Sequence, residues 1–155
     1  MRELTREHLD ILREACRQAG LRLTQQRLSV FQEILGSADH PTAEVVHRRL
    51  RRTAPTLSLD TVYRTLALLE RSGLAHRVLD PGGGDRFDPV TDGHAHVVCR
   101  SCGRFEDLHE VAPAGEGMPE AKRWGRLERC HVVYHGVCNA CLAGAEQAAE
   151  SGETN

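Results

Sequence analysis

The sequence predicts an α+β protein with a helical N-terminal domain and a small α/β C-terminal domain. Residues 1–73 contain four segments in which apolar side chains recur at helical spacing. Beyond Gly73, short extended segments alternate with glycine-rich turns, and two Cys-x-x-Cys pairs follow. A length of 155 residues is enough for two such small domains.

Three of the predicted helices are preceded by a hydroxyl side chain that suits the N-cap position: Thr5, Thr24 and Ser58. Pro41 and Thr42 open the third predicted helix. Glycines that can end a helix follow the first, second and fourth segments, at Gly20, Gly36 and Gly73. The third helix is predicted to end near Pro55, because proline cannot continue a helix.

A β-hairpin is predicted after the four helices. Residues 74–79 and 85–88 are strand candidates, and the Pro-Gly-Gly-Gly segment 81–84 between them is typical of a turn. Short helices followed by a two-stranded hairpin form a winged helix-turn-helix, which is a DNA-binding architecture. We therefore assign residues 1–88 to a winged-helix domain.

The fourth helix has the pattern of a recognition helix. Its apolar stripe, Val62, Leu66 and Leu69, leaves polar side chains facing outwards near the N-terminal end. Arginine there can bond a guanine edge, and tyrosine can contact a thymine methyl group or a phosphate. The predicted base-facing residues are Thr61, Tyr63 and Arg64, and the predicted phosphate contacts are Arg22, Arg27, Arg48, Arg49, Arg51 and Arg52. A solvated helix surface is the alternative.

The charge is divided between the two halves of the chain, although the net charge is only −2. Residues 1–79 contain 13 basic and 9 acidic side chains, whereas residues 80–155 contain 7 basic and 13 acidic ones. A basic half joined to an acidic, ligand-rich half suits a DNA-binding domain followed by a sensor domain. Uneven surface charge without such a function would give the same balance.

The second domain is predicted over residues 94–142, after a polar hinge at 89–93. Strands are predicted over 94–99, 104–108 and 130–137, and a short helix around 114–124. Residues 143–155 are rich in Ala, Glu and Gly, and this tail is predicted to be disordered.

The two Cys-x-x-Cys pairs predict a structural zinc site. Cys99, Cys102, Cys138 and Cys141 can supply four thiolates, and zinc with four protein ligands has no open position for catalysis. The chain has no secretory signal and no apolar run of the ~20 residues that span a bilayer, so we expect a cytoplasmic protein that does not enter membranes. In that reducing compartment such pairs are more often metal ligands than disulfides. A redox dithiol is the alternative.

The two remaining cysteines lie outside these pairs. Cys16 lies on an apolar helix stripe and is predicted to be a packing residue. The role of Cys130, a packing thiol or a reactive one, stays open.

Taken together, several motifs resemble the ferric-uptake-regulator (Fur) superfamily of bacterial metal-dependent repressors. They are LTQQR at 23–27, HPTA at 40–43, TVYRTL at 61–66, RFD at 86–88, HxH at 94–96, CxxCG at 99–103 and GVCxxC at 136–141. The resemblance covers about residues 5–142. It implies a winged-helix domain, an α/β dimerisation domain, a homodimer that binds operator DNA, zinc on the four cysteines and no enzymatic activity.

The resemblance is strongest to the peroxide-sensing branch of the superfamily. In that branch three histidines and two aspartates bind a regulatory Fe²⁺ or Mn²⁺, which corresponds here to His40, Asp88, His94, His96 and Asp107. The oxidation-sensitive histidines correspond to His40 and His94. Gly93, Ala95 and Cys130 replace residues used by a further metal site in many members, which implies that this third site is absent or altered.

Three other functions remain open from the sequence. A metal-uptake repressor of the same superfamily would have this fold without peroxide sensing. A non-haem iron oxygenase would use two histidines and one carboxylate of the same set. A zinc-stabilised interaction module would not bind DNA.

Overall fold

The computed structural model describes residues 3–80, 84–89, 94–109 and 130–152, together with Arg123 and Gly125; for 146–152 it describes the backbone alone. The chain divides into two compact units, Met1–Asp92 and Gly93–Asn155. This division falls in the segment 89–93 that the sequence predicts as a hinge. Of that segment only Pro89 is described, so the hinge stays a prediction.

The first unit contains four helices, α1 (Arg6–Gln18), α2 (Gln25–Gly36), α3 (Ala43–Leu50) and α4 (Leu59–Arg71). The predicted N-caps Thr5, Thr24 and Ser58 are confirmed, because the hydroxyl of each accepts a hydrogen bond from the backbone N–H three residues later. Thr42 caps α3 in the same way. Gly20 and Gly73 follow α1 and α4 with φ values of +66° and +69°, which glycine adopts without steric cost. Gly36 is the last residue of α2 instead of the first residue after it.

One apolar core holds the four helices together. Val62, Leu66 and Leu69 of α4 are fully buried, as the helical spacing predicts. They lie in the same cluster as Phe31 and Ile34 of α2. Cys16 belongs to this cluster as well and is 1 % exposed, so its predicted packing role is confirmed.

The predicted hairpin is present as β1 (His76–Val78) and β2 (Arg86–Asp88), which pair antiparallel with His76 opposite Asp88. Residues 81–83 of the predicted turn lie outside the described residues. Strand β2 also touches the start of α3, because the Phe87 N–H donates to the Pro41 carbonyl and Thr42 bridges to Arg86. This pairing places Asp88 beside the loop that carries His40.

The second unit contains a three-stranded sheet of β3 (Ala95–Cys99), β4 (Phe105–Leu108) and β5 (Val132–Gly136), in the order β4-β3-β5. Strand β3 pairs antiparallel with β4 and parallel with β5. The three predicted strands are confirmed, each slightly shorter than predicted. The helix predicted around 114–124 lies outside the described residues apart from Arg123.

Helix α5 (Asn139–Gly152) corrects the prediction of a disordered tail for residues 143–152, and residues 153–155 of that prediction lie outside the described residues. The segment is rich in alanine, which has the highest helix propensity. The helical turn that starts at the second cysteine pair therefore continues through it. None of the helices in the described part of the chain has the length and apolar character needed to cross a lipid bilayer.

Candidate metal centres

The four predicted zinc ligands form one cluster in the second unit, which we call the cysteine cluster (Cys99, Cys102, Cys138 and Cys141). Their sulfur atoms all lie within 4.8 Å of one another. The Cys99–Cys141 and Cys102–Cys138 Sγ distances are 3.9 and 3.8 Å. Four sulfurs placed tetrahedrally around zinc at about 2.3 Å are about 3.8 Å apart. The distances therefore fit zinc, and they are far longer than the roughly 2.05 Å of a disulfide.

Tight backbone turns bring the cysteines of each pair together. The Gly103 N–H donates to the Cys99 carbonyl at 2.9 Å, and Gly103 has φ +74°, a conformation that disfavours side chains with Cβ. In the other pair the Cys141 N–H donates to the Cys138 carbonyl at 3.0 Å. The parallel β3–β5 pairing then places the two turns side by side.

The electrostatics of the cysteine cluster favour a bound cation. Backbone N–H groups of Cys138 and Cys102 lower the pKa of Cys99 to about 6, because they stabilise its thiolate. A hydrogen bond with Ser101 lowers the pKa of Cys141, but the neighbouring thiols of Cys138 and Cys102 outweigh it and raise that pKa to about 11. Four thiolates at this spacing repel one another, so a divalent cation is needed for all four to ionise.

Three nitrogen and oxygen donors come together beside the same sheet in the second unit, in what we call the His-His-Asp group (His94, His96 and Asp107). His96 of β3 lies opposite Asp107 of β4 in the strand register, and His94 precedes β3 by one residue. The two Nε2 atoms are 3.1 Å apart, and they lie 3.3 and 3.6 Å from Asp107 Oδ1. Bonds of about 2.1 Å to one cation place adjacent donor atoms at about 3.0–3.5 Å. The group therefore has the spacing of three ligands of one metal ion.

The first unit brings two further predicted ligands together, which we call the His-Asp pair (His40 and Asp88). The His40 Nε2 atom lies 3.5 Å from Asp88 Oδ1, and these side chains are 4 % and 1 % exposed. Asp88 belongs to β2, whereas His40 lies in the loop between α2 and α3. A buried carboxylate beside an imidazole offers the nitrogen and oxygen donors that divalent transition metals accept.

Two arginines that the sequence does not assign to the metal site contact the segment that carries His40. Arg49, which the sequence also predicts as a phosphate contact, pairs with Asp39 at 2.7 Å and with Glu33 at 3.2 Å. This pairing lowers the pKa of Asp39 below its usual range. Arg86 of β2 pairs with buried Asp80 at 3.0 Å. No spacing in the sequence indicates either partnership, because each joins different elements.

The predicted DNA-facing residues are exposed or partly exposed on the surface of the first unit. Tyr63 and Arg64 of α4 are exposed, and Thr61 is half-buried beside the Ser58 cap. The Tyr63 hydroxyl donates to Glu44 of α3, and Arg64 pairs with Asp60 one turn earlier at 3.0 Å. Among the predicted phosphate contacts, Arg22 is exposed, and its carbonyl accepts from the Arg27 guanidinium at 2.7 Å. These DNA contacts stay predictions.

Comparison with known proteins agrees with this arrangement. A model of the Ferric uptake regulator family matches residues 18–134. The peroxide operon regulator of Bacillus subtilis (strain 168) is 29 % identical over 134 residues, which cover 83 % of this chain and 89 % of that protein. In the solved structure of the Campylobacter jejuni peroxide stress regulator, 28 % identical, the match covers 86 % of this chain and 98 % of that one, with a TM-score of 0.62.

A zinc-bound manganese uptake regulator of known structure is 30 % identical, and the match covers 83 % of this chain and 98 % of that one with a TM-score of 0.59. The fold class predicted from the sequence is thereby confirmed. Members of the matched family are transcriptional regulators, which excludes the oxygenase alternative. With the family model spanning most of its length and both domains accounted for, this chain belongs to the Ferric uptake regulator family of metal-dependent repressors.

Proposed function

We propose that this chain is a homodimeric repressor that binds operator DNA when Fe²⁺ or Mn²⁺ is held by His40, Asp88, His94, His96 and Asp107, with zinc on the cysteine cluster. The winged-helix domain would read the DNA through α4, and the second unit would form the dimer. In a dimer, the two recognition helices must match half-sites about one helical turn apart. A ligand that constrains the protein therefore controls its affinity for DNA.

The observation that carries this proposal is the division of nitrogen and oxygen donors between the two units. The His-Asp pair has two ligands and the His-His-Asp group has three, whereas Mn²⁺ and Fe²⁺ commonly take five or six. We propose that both sets bind one ion. Metal binding then favours the arrangement of units in which all five ligands are engaged, by its differential affinity for that arrangement.

Peroxide is the proposed signal, because the donor set contains no thiolate and because peroxide regulators are among the relatives of this chain. Iron(II) in the site would activate hydrogen peroxide, which would act as the two-electron oxidant of a ligand ring: one peroxide oxygen would be inserted into a ring C–H bond, and the other would leave as water. His40 or His94 would then gain an oxygen atom. An oxidised imidazole is a poor donor, so the five-ligand set would be broken and DNA released.

A metal-uptake repressor is the second candidate. It is favoured by the similarity to the manganese uptake regulator, at 30 % identity over nearly all of that chain. Such a protein would use the same ligands to report the metal concentration, and peroxide would not change its affinity for DNA.

A DNA-binding measurement separates the two functions. A duplex selected from a random pool by the Mn²⁺-loaded protein serves as the probe. We expect binding with either metal, and loss of binding after micromolar peroxide with Fe²⁺ alone. Binding that survives peroxide with Fe²⁺ would favour the uptake repressor, and binding that does not depend on metal would contradict the whole proposal.

Mass spectrometry of the same samples locates the modification. Peptides that contain His40 or His94 should gain about 16 Da, one oxygen atom, in the Fe²⁺ sample after peroxide. The Mn²⁺ sample treated in the same way is the control and should show no gain. Unmodified histidines together with DNA release would contradict histidine oxidation as the cause.

A further inference from the structure

His40 has an unusual backbone for a metal ligand. Its φ angle is +47°, and among the described residues it is the one non-glycine residue with positive φ. The left-handed region is sterically unfavourable for residues with a Cβ, so such a conformation persists where the surroundings hold it in place. The side chains around His40 should therefore include the ones that impose this conformation.

Arg49 of α3 holds the residue before His40. Its Nη1 and Nη2 atoms donate to the two carboxylate oxygens of Asp39 at 3.2 and 2.7 Å, in the two-pronged geometry that restricts both partners. The same Nη1 also donates to Ser37 Oγ and to Glu33 of α2, at 3.2 Å each. One guanidinium thus joins α2, α3 and the loop between them.

The other side of the loop is held by β2. Arg86 Nη1 approaches the carbonyl oxygens of Asp39 and His40, both at 3.4 Å, while its Nε donates to buried Asp80 at 3.0 Å. The His40 peptide is therefore fixed between a side chain of α3 and a strand that carries its partner Asp88. These contacts all lie within the first unit.

We infer that Arg49 is a positioning residue for the regulatory metal, because it holds the Asp39–His40 segment in the left-handed turn that aims the imidazole at Asp88. This inference rests on the proposed function of His40 as a ligand. It also assigns Arg49 to the metal response instead of to DNA phosphates. Arg49 joins the metal ligand to α3, the helix whose Glu44 accepts the hydrogen bond of Tyr63 on the recognition helix.

The test compares Arg49→Ala with Arg49→Lys, and with Arg48→Ala as the matched control. Arg48 is an exposed neighbour on α3 that makes no ion pair within the part of the chain described by the structure. The affinity for Mn²⁺ is measured by electron paramagnetic resonance of the free ion. We expect Arg49→Ala to weaken it roughly 10–100-fold, the usual effect of removing a group that orients a ligand. Arg49→Lys should restore part of the lost affinity, and Arg48→Ala should leave the affinity for Mn²⁺ unchanged.

Two further measurements separate positioning from general destabilisation. Zinc content should be unchanged in Arg49→Ala, because the cysteine cluster lies in the second unit and Arg49 in the first. The thermal midpoint should fall only slightly, because ion pairs of a partly exposed side chain contribute little to stability. In metal-free protein the backbone NMR shifts of His40 should move from left-handed towards extended values. Unchanged shifts, or unchanged Mn²⁺ affinity, would overturn the inference.

The variant His40→Ala distinguishes failure of the inference from failure of the proposed function. If His40→Ala weakens Mn²⁺ binding and Arg49→Ala does not, the positioning role is wrong and the ligand role stands. If His40→Ala leaves the Mn²⁺ affinity unchanged, His40 is not a ligand. The proposed function and the positioning role of Arg49 are then both wrong.

Discussion

At the scale of single residues, His40 combines a strained backbone with a functional side chain. A non-glycine residue in the left-handed region costs about 1–2 kcal/mol, and such residues concentrate at functional sites. Selection for stability alone would favour glycine at this position. The presence of histidine with φ +47° at this position is therefore consistent with a requirement for its imidazole.

This strain predicts different stabilities for two variants that both lack the imidazole. His40→Gly should be more stable than His40→Ala by about 1 kcal/mol, because glycine adopts positive φ without a Cβ clash. Urea denaturation followed by helical circular dichroism measures the difference. Both variants should lose Mn²⁺ affinity alike. Equal stabilities would mean that the left-handed conformation relaxes once the ring is removed.

Residue types of the candidate metal ligands were predictable, whereas the groups that orient them were not. Cysteines at i, i+3 and histidines at i, i+2 indicate ligands because a turn or a strand places such neighbours on one side. The resemblance to a known family supplied His40, Asp88 and Asp107. The Arg49–Asp39 pair joins residues ten positions apart across a loop, so no local periodicity reports it.

At the scale of elements, α4 depends on its N-terminal cap. The Ser58 Oγ accepts from the Thr61 N–H at 3.1 Å, and it satisfies one of the four backbone donors that a helix start leaves unpaired. The end that it caps is also the end predicted to face DNA. The helix cap and the predicted DNA contacts therefore lie in the same first turn of this helix.

Removing the cap should destabilise the first unit. We expect Ser58→Ala to cost about 1 kcal/mol, while Ser58→Asp, which keeps an acceptor at the cap, should stay close to the unsubstituted protein. The measurement is the urea midpoint of the helical transition. If Ser58→Ala and Ser58→Asp unfold at the same urea concentration, the hydrogen bond to Thr61 contributes nothing measurable.

Elements of the first unit were more predictable than those of the second. Helix caps such as Ser58 and a stripe such as Val62, Leu66 and Leu69 are local signals, and the structure confirms them. Helix α5 was mistaken for a disordered tail because its alanine-rich composition lacks an amphipathic pattern. The parallel pairing of β3 with β5 joins residues far apart in the chain, and no local signal encodes such pairing.

At the scale of the whole molecule, the two units differ in what stabilises them. All members of the large apolar cluster, from Leu12 to Phe87, belong to the first unit. In the second unit the buried apolar residues among those described are few: Ala95, Val98, Cys99 and Phe105. Where the described part of a small domain contributes so little core, a metal, a disulfide or oligomerisation commonly adds stability. The cysteine cluster should therefore supply most of the stability of the second unit.

Zinc removal should accordingly unfold the second unit and leave the first one folded. Apparent zinc-binding energies of about 10–16 kcal/mol are as large as the whole stability of a typical domain, so Cys99→Ser should abolish protection from hydrogen exchange in β3 and β5. Amides of α4 should stay protected, because the apolar cluster around α4 contains no ligand of the zinc.

Cys130→Ser is the matched control, since Cys130 is exposed and lies outside the cysteine cluster. This variant should retain zinc and the full exchange pattern. Protected β3 and β5 amides in zinc-free Cys99→Ser protein would show that the sheet is stable by itself, and zinc would then have to act in some role other than folding.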